Sequence, residues 1–308
     1  EKNEIIKSIA ERSGGDIYLG VVGAVRTGKS TFIKKFMEKM VIPHISDDNE
    51  KKRTIDELPQ SAAGKTIMTT EPKFIPATAA KIQIDDFSAN IRMIDCVGYV
   101  INSAKGYEDD NGPRYVMTPW YSEPIPFVEA AEIGTEKVIK EHSTIGIVIT
   151  TDGSIGEFSR NDYIEAEETV ISELKNIGKP FIVVLNSVHP MLPETENIAN
   201  KLKEEHNVPV IPLNIENMQE KDMYDILKNA LYEFPIEEVK VNIPEWVAIL
   251  NPDHELKKEY INMIKESVIE VNKLKDIEKI TQHFTNSDVI DKPYISEVNP
   301  SPGEVTIT

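Results

Sequence analysis

Ile17-Tyr18-Leu19-Gly20-Val21-Val22-Gly23-Ala24-Val25-Arg26-Thr27-Gly28-Lys29-Ser30-Thr31 is the stretch that decides how the rest of the chain is read. An apolar strand runs into Gly23, and Gly23, Gly28, Lys29 and Ser30 fill every fixed position of the pattern G-x-x-x-x-G-K-[ST]. The chemistry needs these residue types. Glycines let successive backbone N–H groups converge on phosphate oxygens, and the helix that follows adds the positive end of its dipole. Lys29 then bridges the β- and γ-phosphates while the Ser30 hydroxyl ligates Mg²⁺. Thr27 and Thr31 flank these positions and join the candidate nucleotide-binding set. Arg26, inside the loop, has two readings: a solvent-facing arginine, or a guanidinium that adds charge beside the phosphates.

Outward from this loop, strand and helix patterns alternate. Residues 1–12 read as a short amphipathic helix with Ile5, Ile6 and Ile9 on its apolar side, and residues 29–40 as the helix after the loop. Residues 45–64 are polar, lack a period and read as a mobile surface loop. Strands are expected at 73–75, 81–84 and 91–94, then a long irregular segment at 98–126, where functional loops are often found. Helices at 127–142, 162–177, 194–206 and 221–232 alternate with strands at 145–151, 181–185 and 208–213. This predicts an α/β fold of the P-loop NTPase type, a mostly parallel sheet covered by helices on both faces, over residues 1–235. Residues 236–308 read as the start of a following, partial α/β region, with a strand at 239–243 and a charged helix at 254–275. The last ~30 residues look like a chain cut within an element.

Three further positions complete the candidate site. Asp95 ends the strand at 91–94 and opens Asp95-Cys96-Val97-Gly98; a carboxylate there can hold Mg²⁺, and the Gly98 N–H can sense a γ-phosphate. Thr69 and Thr70 follow the polar segment, where a first switch closes over metal and phosphate; either can supply the ligand. Lys29, Thr69, Thr70 and Asp95 are therefore the expected catalytic residues, and Ser30, Thr70 and Asp95 the expected metal ligands. Gly64-Lys65-Thr66 resembles a second phosphate loop but carries Pro59 where the leading glycine belongs.

The base is read elsewhere. GTPases of this architecture end a strand in Asn-Lys-x-Asp, whose carboxylate accepts from guanine. Here the strand ends in Asn186-Ser187-Val188-His189. Asn186 is kept, but imidazole cannot replace a two-acceptor carboxylate, so guanine selection is not expected and ATP becomes the expected nucleotide. Tyr99 follows Gly98 with no Glu or Gln beside it to position water, which predicts slow turnover.

Composition narrows the partners. Acidic side chains outnumber basic ones 52 to 34, for a net charge of −18, which disfavours nucleic acid or an anionic bilayer as a direct ligand. Cys96 is the single cysteine, so neither an internal disulfide nor a multi-cysteine metal site is available. No apolar run approaches the ~18 residues of a membrane span, and the charged start does not resemble a secretory signal. His142, His206, His254 and His283 lack metal-ligand spacing, and Glu108, Asp109 and Asp110 read as a solvated acidic loop.

Beyond these motifs, long runs match one family. They are Gly15 to Thr31, Leu58-Pro59-Gln60-Ser61-Ala62-Ala63-Gly64-Lys65-Thr66-Ile67-Met68-Thr69-Thr70-Glu71-Pro72-Lys73-Phe74, Asp95-Cys96-Val97-Gly98-Tyr99, Ala104-Lys105-Gly106-Tyr107-Glu108-Asp109 and Thr150-Thr151-Asp152-Gly153. Through them the chain resembles the stage IV sporulation protein A family of spore-forming Firmicutes. The resemblance implies an ATPase related to translation-factor-class GTPases, with Lys29 as its phosphate-loop lysine, Asp95 as its Mg-site aspartate and Thr69 and Thr70 as its sensor threonines. It also implies a homopolymer that serves as a platform for the spore coat in the mother-cell cytoplasm, at the surface of the forespore outer membrane. Coat proteins and a small amphipathic membrane-anchoring peptide would be reached through regions beyond this stretch, without direct membrane insertion. A conventional GTPase switch in ribosome assembly or trafficking is the alternative, and a scaffold with a degenerate site is a third.

Overall fold

The computed structural model describes residues 2–59, 72–84, 87–101, 108–109, 112–284, 289–290 and 293–308. In chain order the elements of the first 235 residues are α1 Lys2–Arg12, β1 Asp16–Val22, α2 Lys29–Phe36, α3 Asp48–Asp56, β2 Lys73–Ile84, β3 Phe87–Asp95, β4 Glu108–Asp109, β5 Gly112–Pro113, β6 Tyr115–Thr118, β7 Tyr121–Pro126, α4 Phe127–Lys137, β8 Ile145–Thr151, α5 Arg160–Ile177, β9 Phe181–Asn186, α6 Pro193–His206, β10 Val210–Leu213 and α7 Glu220–Tyr232. After them come β11 Glu238–Val241, α8 Glu245–Ala248, α9 Glu255–Val268, α10 Ile277–His283, β12 Ile295–Asn299 and β13 Glu304–Ile307.

Six strands form the central sheet in the order β10-β9-β8-β1-β3-β2. All pairings are parallel except that of β2 with β3. Period-2 alternation splits the buried side chains between two faces. Ile17, Leu19, Val21, Ile147 and Ile149 pack with α1, α2 and α7, whereas Val148, Val183 and Leu185 pack with α5 and α6. Central strands apolar on both sides require helices on both sides, which is the layering expected from the sequence. Register sets the functional edge: Val21 pairs with Asp95, Thr151 with Asn186, and Asn186 with Leu213, so these strands end at the same edge of the sheet.

Several expectations fail for physical reasons. Residues 48–56, read as part of a mobile loop, form α3; Asp47 caps it by accepting from Glu50 N at 2.7 Å, and only Thr54 of the helix is buried. A helix with almost no buried face leaves no apolar stripe for a sequence reading to detect. The strands expected at 73–75 and 81–84 are one edge strand, β2, whose pairing with β3 shifts between Ile75 and Ala80; Pro76 sits within that shift, a position an edge strand tolerates. Within the irregular segment 98–126, β4 pairs with β5 and β6 with β7, both antiparallel.

The helix expected at 254–275 stops at Val268. Beyond it the backbone is claimed by another segment: Ile236 N donates to Asn272 O (2.9 Å) and Leu274 N to Phe234 O (3.1 Å). Buried Glu233 accepts from Lys273 (2.6 Å), forms an ion pair with Lys275 (2.8 Å) and fastens the same junction. In residues 236–308 a three-stranded sheet, β11-β13-β12, carries the chain to Thr308, and Val305 and Ile307 of β13 join the core cluster that contains Ile6 and Ile9.

Candidate nucleotide-binding site

The turn after β1 is shaped by two backbone positions. Gly23 has φ 143°, and a Cβ there would lie 2.1 Å from the carbonyl oxygen of Ile149 in β8. Only glycine lets the loop leave the sheet so close to its neighbour. Gly28 caps α2 in the left-handed region at φ 100°. Arg26 also lies there, at φ 59°, which costs a residue with a Cβ roughly 1–2 kcal/mol. The loop is braced internally, since Thr27 Oγ1 donates to Ala24 O at 3.0 Å.

Lys29 points back into this loop. Its ammonium is buried and donates to the carbonyls of Ala24 (2.7 Å) and Gly23 (3.3 Å). Burial pulls its pKa down, and the nearby Asp95 and Cys96 oppose that shift. Asp95 behaves inversely: burial pushes its carboxyl up, while Lys29, Ser30 and Lys73 draw it back. The Ser30 hydroxyl donates to Asp95 Oδ2 at 2.9 Å. A serine oxygen beside a carboxylate oxygen suits a hard divalent cation such as Mg²⁺, which binds through one or two protein oxygens and completes its shell with phosphate and water. No group of three or more His, Cys, Asp or Glu able to hold a metal occurs among the described residues. Thr31 follows on the first turn of α2, half-buried.

The segment after Asp95 is laid along the loop. Tyr99 N donates to Gly23 O (3.0 Å) and Val25 N to Tyr99 O (2.9 Å), so Gly98 is buried against the lysine. A Cβ on Gly98 would stand 2.8 Å from Lys29 Nζ and equally close to Val25. The Tyr99 side chain turns the other way and its hydroxyl bonds Glu173 of α5. Burial raises the pKa of both the phenol and this carboxyl. Residue 99 therefore presents backbone, not a side chain, toward the loop.

Asn186 joins three strand ends. Its amide donates to Thr27 O (3.0 Å) and its carbonyl accepts from Ile215 N (3.1 Å). Ser187, buried, accepts from His189 N (3.0 Å), and Ser154 Oγ accepts from Val188 N (2.9 Å). Asp152 organises this turn by accepting from Ser154 N (2.9 Å), Ser154 Oγ (2.6 Å) and Thr195 Oγ1 (2.9 Å). Burial alone would raise its pKa, but the hydrogen bonds from Ser154, Ser187 and Thr195 outweigh it and keep the carboxyl ionised. His189 is exposed.

Gly23, Arg26, Thr27, Gly28, Lys29, Ser30, Asp95, Gly98 and Asn186 thus meet at one edge of the sheet. Thr69 and Thr70 lie outside the described residues. Three features were not foreseen: the Tyr99–Glu173 contact, the Asp152 network, and a buried ion pair in which Arg160 grips Glu167 through both nitrogens (2.5 and 2.7 Å) while Thr150 donates to the same carboxylate (2.5 Å). Thr150-Thr151-Asp152-Gly153 held the signal for the last two, polar residues closing an apolar strand.

Residues 1–235 match the family model for the stage IV sporulation protein A ATPase domain, and residues 236–308 the model for its middle domain. The chain is 56% identical over its whole length to stage IV sporulation protein A of Bacillus anthracis and to that of Bacillus subtilis (strain 168). It is 49% identical, over 99% of its length, to that of Clostridioides difficile (strain 630). It spans 63% of the length of the two Bacillus proteins and 62% of the third. On both domain matches, the chain belongs to the stage IV sporulation protein A family.

Proposed function

We propose that this chain binds Mg-ATP at the loop 23–30 and hydrolyses it to ADP and phosphate, as the P-loop unit of a longer spore-coat protein. One observation carries the reading: a buried lysine inside a two-glycine turn, with a hydroxyl–carboxylate pair beside it. Lys29 is a cation held by two carbonyls, which phosphate oxygens can replace with stronger, charge-assisted bonds. Ser30 and Asp95 would hold the metal, which when bound neutralises charge on the β- and γ-phosphates. Backbone amides of the loop and the N-terminus of α2 orient the triphosphate for in-line attack by water. Thr69 and Thr70 are proposed to close over the γ-phosphate, and Gly98 to report its presence. Tyr99 is committed to Glu173 and offers no water-positioning group, which supports slow turnover.

Adenine is the proposed base. The turn 186–189 contains no carboxylate, and the oxygens of Asp152 beside it are engaged by Ser154 and Thr195. Guanine would leave its N1 and N2 donors without an acidic acceptor. Equilibrium binding of labelled nucleotides tests this: Mg-ATP is expected to bind at least about tenfold tighter than Mg-GTP, whereas a preference for GTP would revive the switch reading.

For the longer protein we propose homopolymerisation, licensed when hydrolysis rearranges the segments around Thr69, Thr70 and Gly98, at the surface of the forespore outer membrane. No helix among the described residues is long and apolar enough to cross a membrane. With a net charge of −18, this part would reach an anionic bilayer through a partner, for which an amphipathic anchoring peptide binding other regions is proposed, with coat proteins added above.

A further inference from the structure

Arg26 is not needed to shape the loop, because Thr27, Gly28 and Asn186 brace it without using the arginine side chain. Its backbone nevertheless sits at φ 59°, where glycine or asparagine would be easier. Strained residues with exposed functional side chains concentrate at sites where the side chain is used. The guanidinium is exposed and lies over the ring of Phe158, 5.8 Å from its centroid. Phe158 is held in turn: it meets the buried Tyr163 of α5 edge-on, with ring centroids 6.5 Å apart at 79°. Phe158 lies in the connection from β8 to α5, which is fixed at one end by the Asp152 network and at the other by the Arg160–Glu167 pair. A positive charge three residues before Lys29 is thus stationed beside the phosphate loop with an aromatic ring beneath it, and a phosphate binds a guanidinium more strongly than a ring face does.

We propose that Arg26 is a catalytic residue, an arginine supplied from within the phosphate loop that leaves Phe158 and binds the γ-phosphoryl group as it transfers. This rests on the ATPase reading above. Water adds to the γ-phosphorus, the bond to the β–γ bridging oxygen breaks, ADP departs and the water proton passes to the phosphate; Arg26 changes no bond and offsets charge on the transferring group. Phe158 is a positioning residue that stations the guanidinium.

Nucleotide affinity and single-turnover hydrolysis of Arg26→Ala, Arg26→Lys and Phe158→Leu in the full-length protein test the proposal. Alanine bears a Cβ as arginine does, so the left-handed strain is common to wild type and variant. Arg26→Ala is expected to lower the hydrolysis rate ~100-fold or more while a non-hydrolysable ATP analogue binds within about threefold of wild type. It should also lose the tight complex with ADP and aluminium fluoride. Arg26→Lys should fall between, and Phe158→Leu should stay at least about tenfold faster than Arg26→Ala, because it removes the station and keeps the charge. Hydrolysis by Arg26→Ala within threefold of wild type overturns the proposal, as does equal loss in Arg26→Ala and Phe158→Leu, which would assign the effect to loop packing. If wild type hydrolyses no ATP, the ATPase reading fails and takes this inference with it.

Discussion

Lys29→Ala is expected to weaken Mg-ATP binding by at least about 100-fold, equivalent to roughly 2.7 kcal/mol, and to leave the protein folded. The asymmetry follows from where the ammonium sits. It is buried, its charge is opposed by burial, and its two partners are loop carbonyls, one of which also accepts from Thr27. Removing a buried cation recovers its desolvation cost, and both carbonyls keep a second donor, Thr27 Oγ1 on Ala24 O and Tyr99 N on Gly23 O, so the fold is expected to survive. Nucleotide binding has no such compensation, because two adjacent phosphates lose their closest fixed charge. Titration with a fluorescent ATP analogue beside a thermal melt separates the two effects. Unaltered affinity would remove Lys29 from the site, and a collapsed melt would make its role structural.

Asp95→Ala is expected to abolish the enhancement of ATP affinity by Mg²⁺ and to lower hydrolysis by about 10²–10³-fold, since charge neutralisation at the transferring phosphoryl group depends on the metal. Asp95→Asn distinguishes charge from geometry. The amide can still accept from Ser30, whose hydroxyl lies 2.9 Å from Oδ2, yet it offers no negative charge to a cation. Similar losses in both variants would assign the effect to charge, and recovery in Asn would assign it to the orientation of Ser30. The measurement is nucleotide affinity across a Mg²⁺ series, with phosphate release followed in parallel.

Much of this was legible because local signals and tertiary structure coincide along the first 235 residues. Apolar strands alternate with amphipathic helices, and the glycines of the loop occupy backbone positions that other residues enter only with strain. Asp95 was legible as the last residue of a strand, and pairing in register with Val21 brings it to the loop. What escaped was decided at a distance. Tyr99 meets Glu173 across 74 positions of chain, and no spacing rule announces such a pair. The helix at 254–275 had the right period, but residues 272–274 pair with 234–236, and tertiary hydrogen bonds overrode propensity. In α3 the local signal is present but the period is not: Asp47 and Glu50 form a capping pair near the start of the segment 45–64, which is polar and carries no helical repeat.

Whether residues 23–30 hold a triphosphate is decided by a crystal structure of this chain grown with Mg²⁺ and a non-hydrolysable ATP analogue. The expected density has the triphosphate wrapped by the amides of residues 23–30, the Lys29 ammonium moved from the carbonyls of Gly23 and Ala24 onto phosphate oxygens, and the metal on Ser30 beside Asp95. Nucleotide bound elsewhere, with Lys29 still on those two carbonyls, would contradict it.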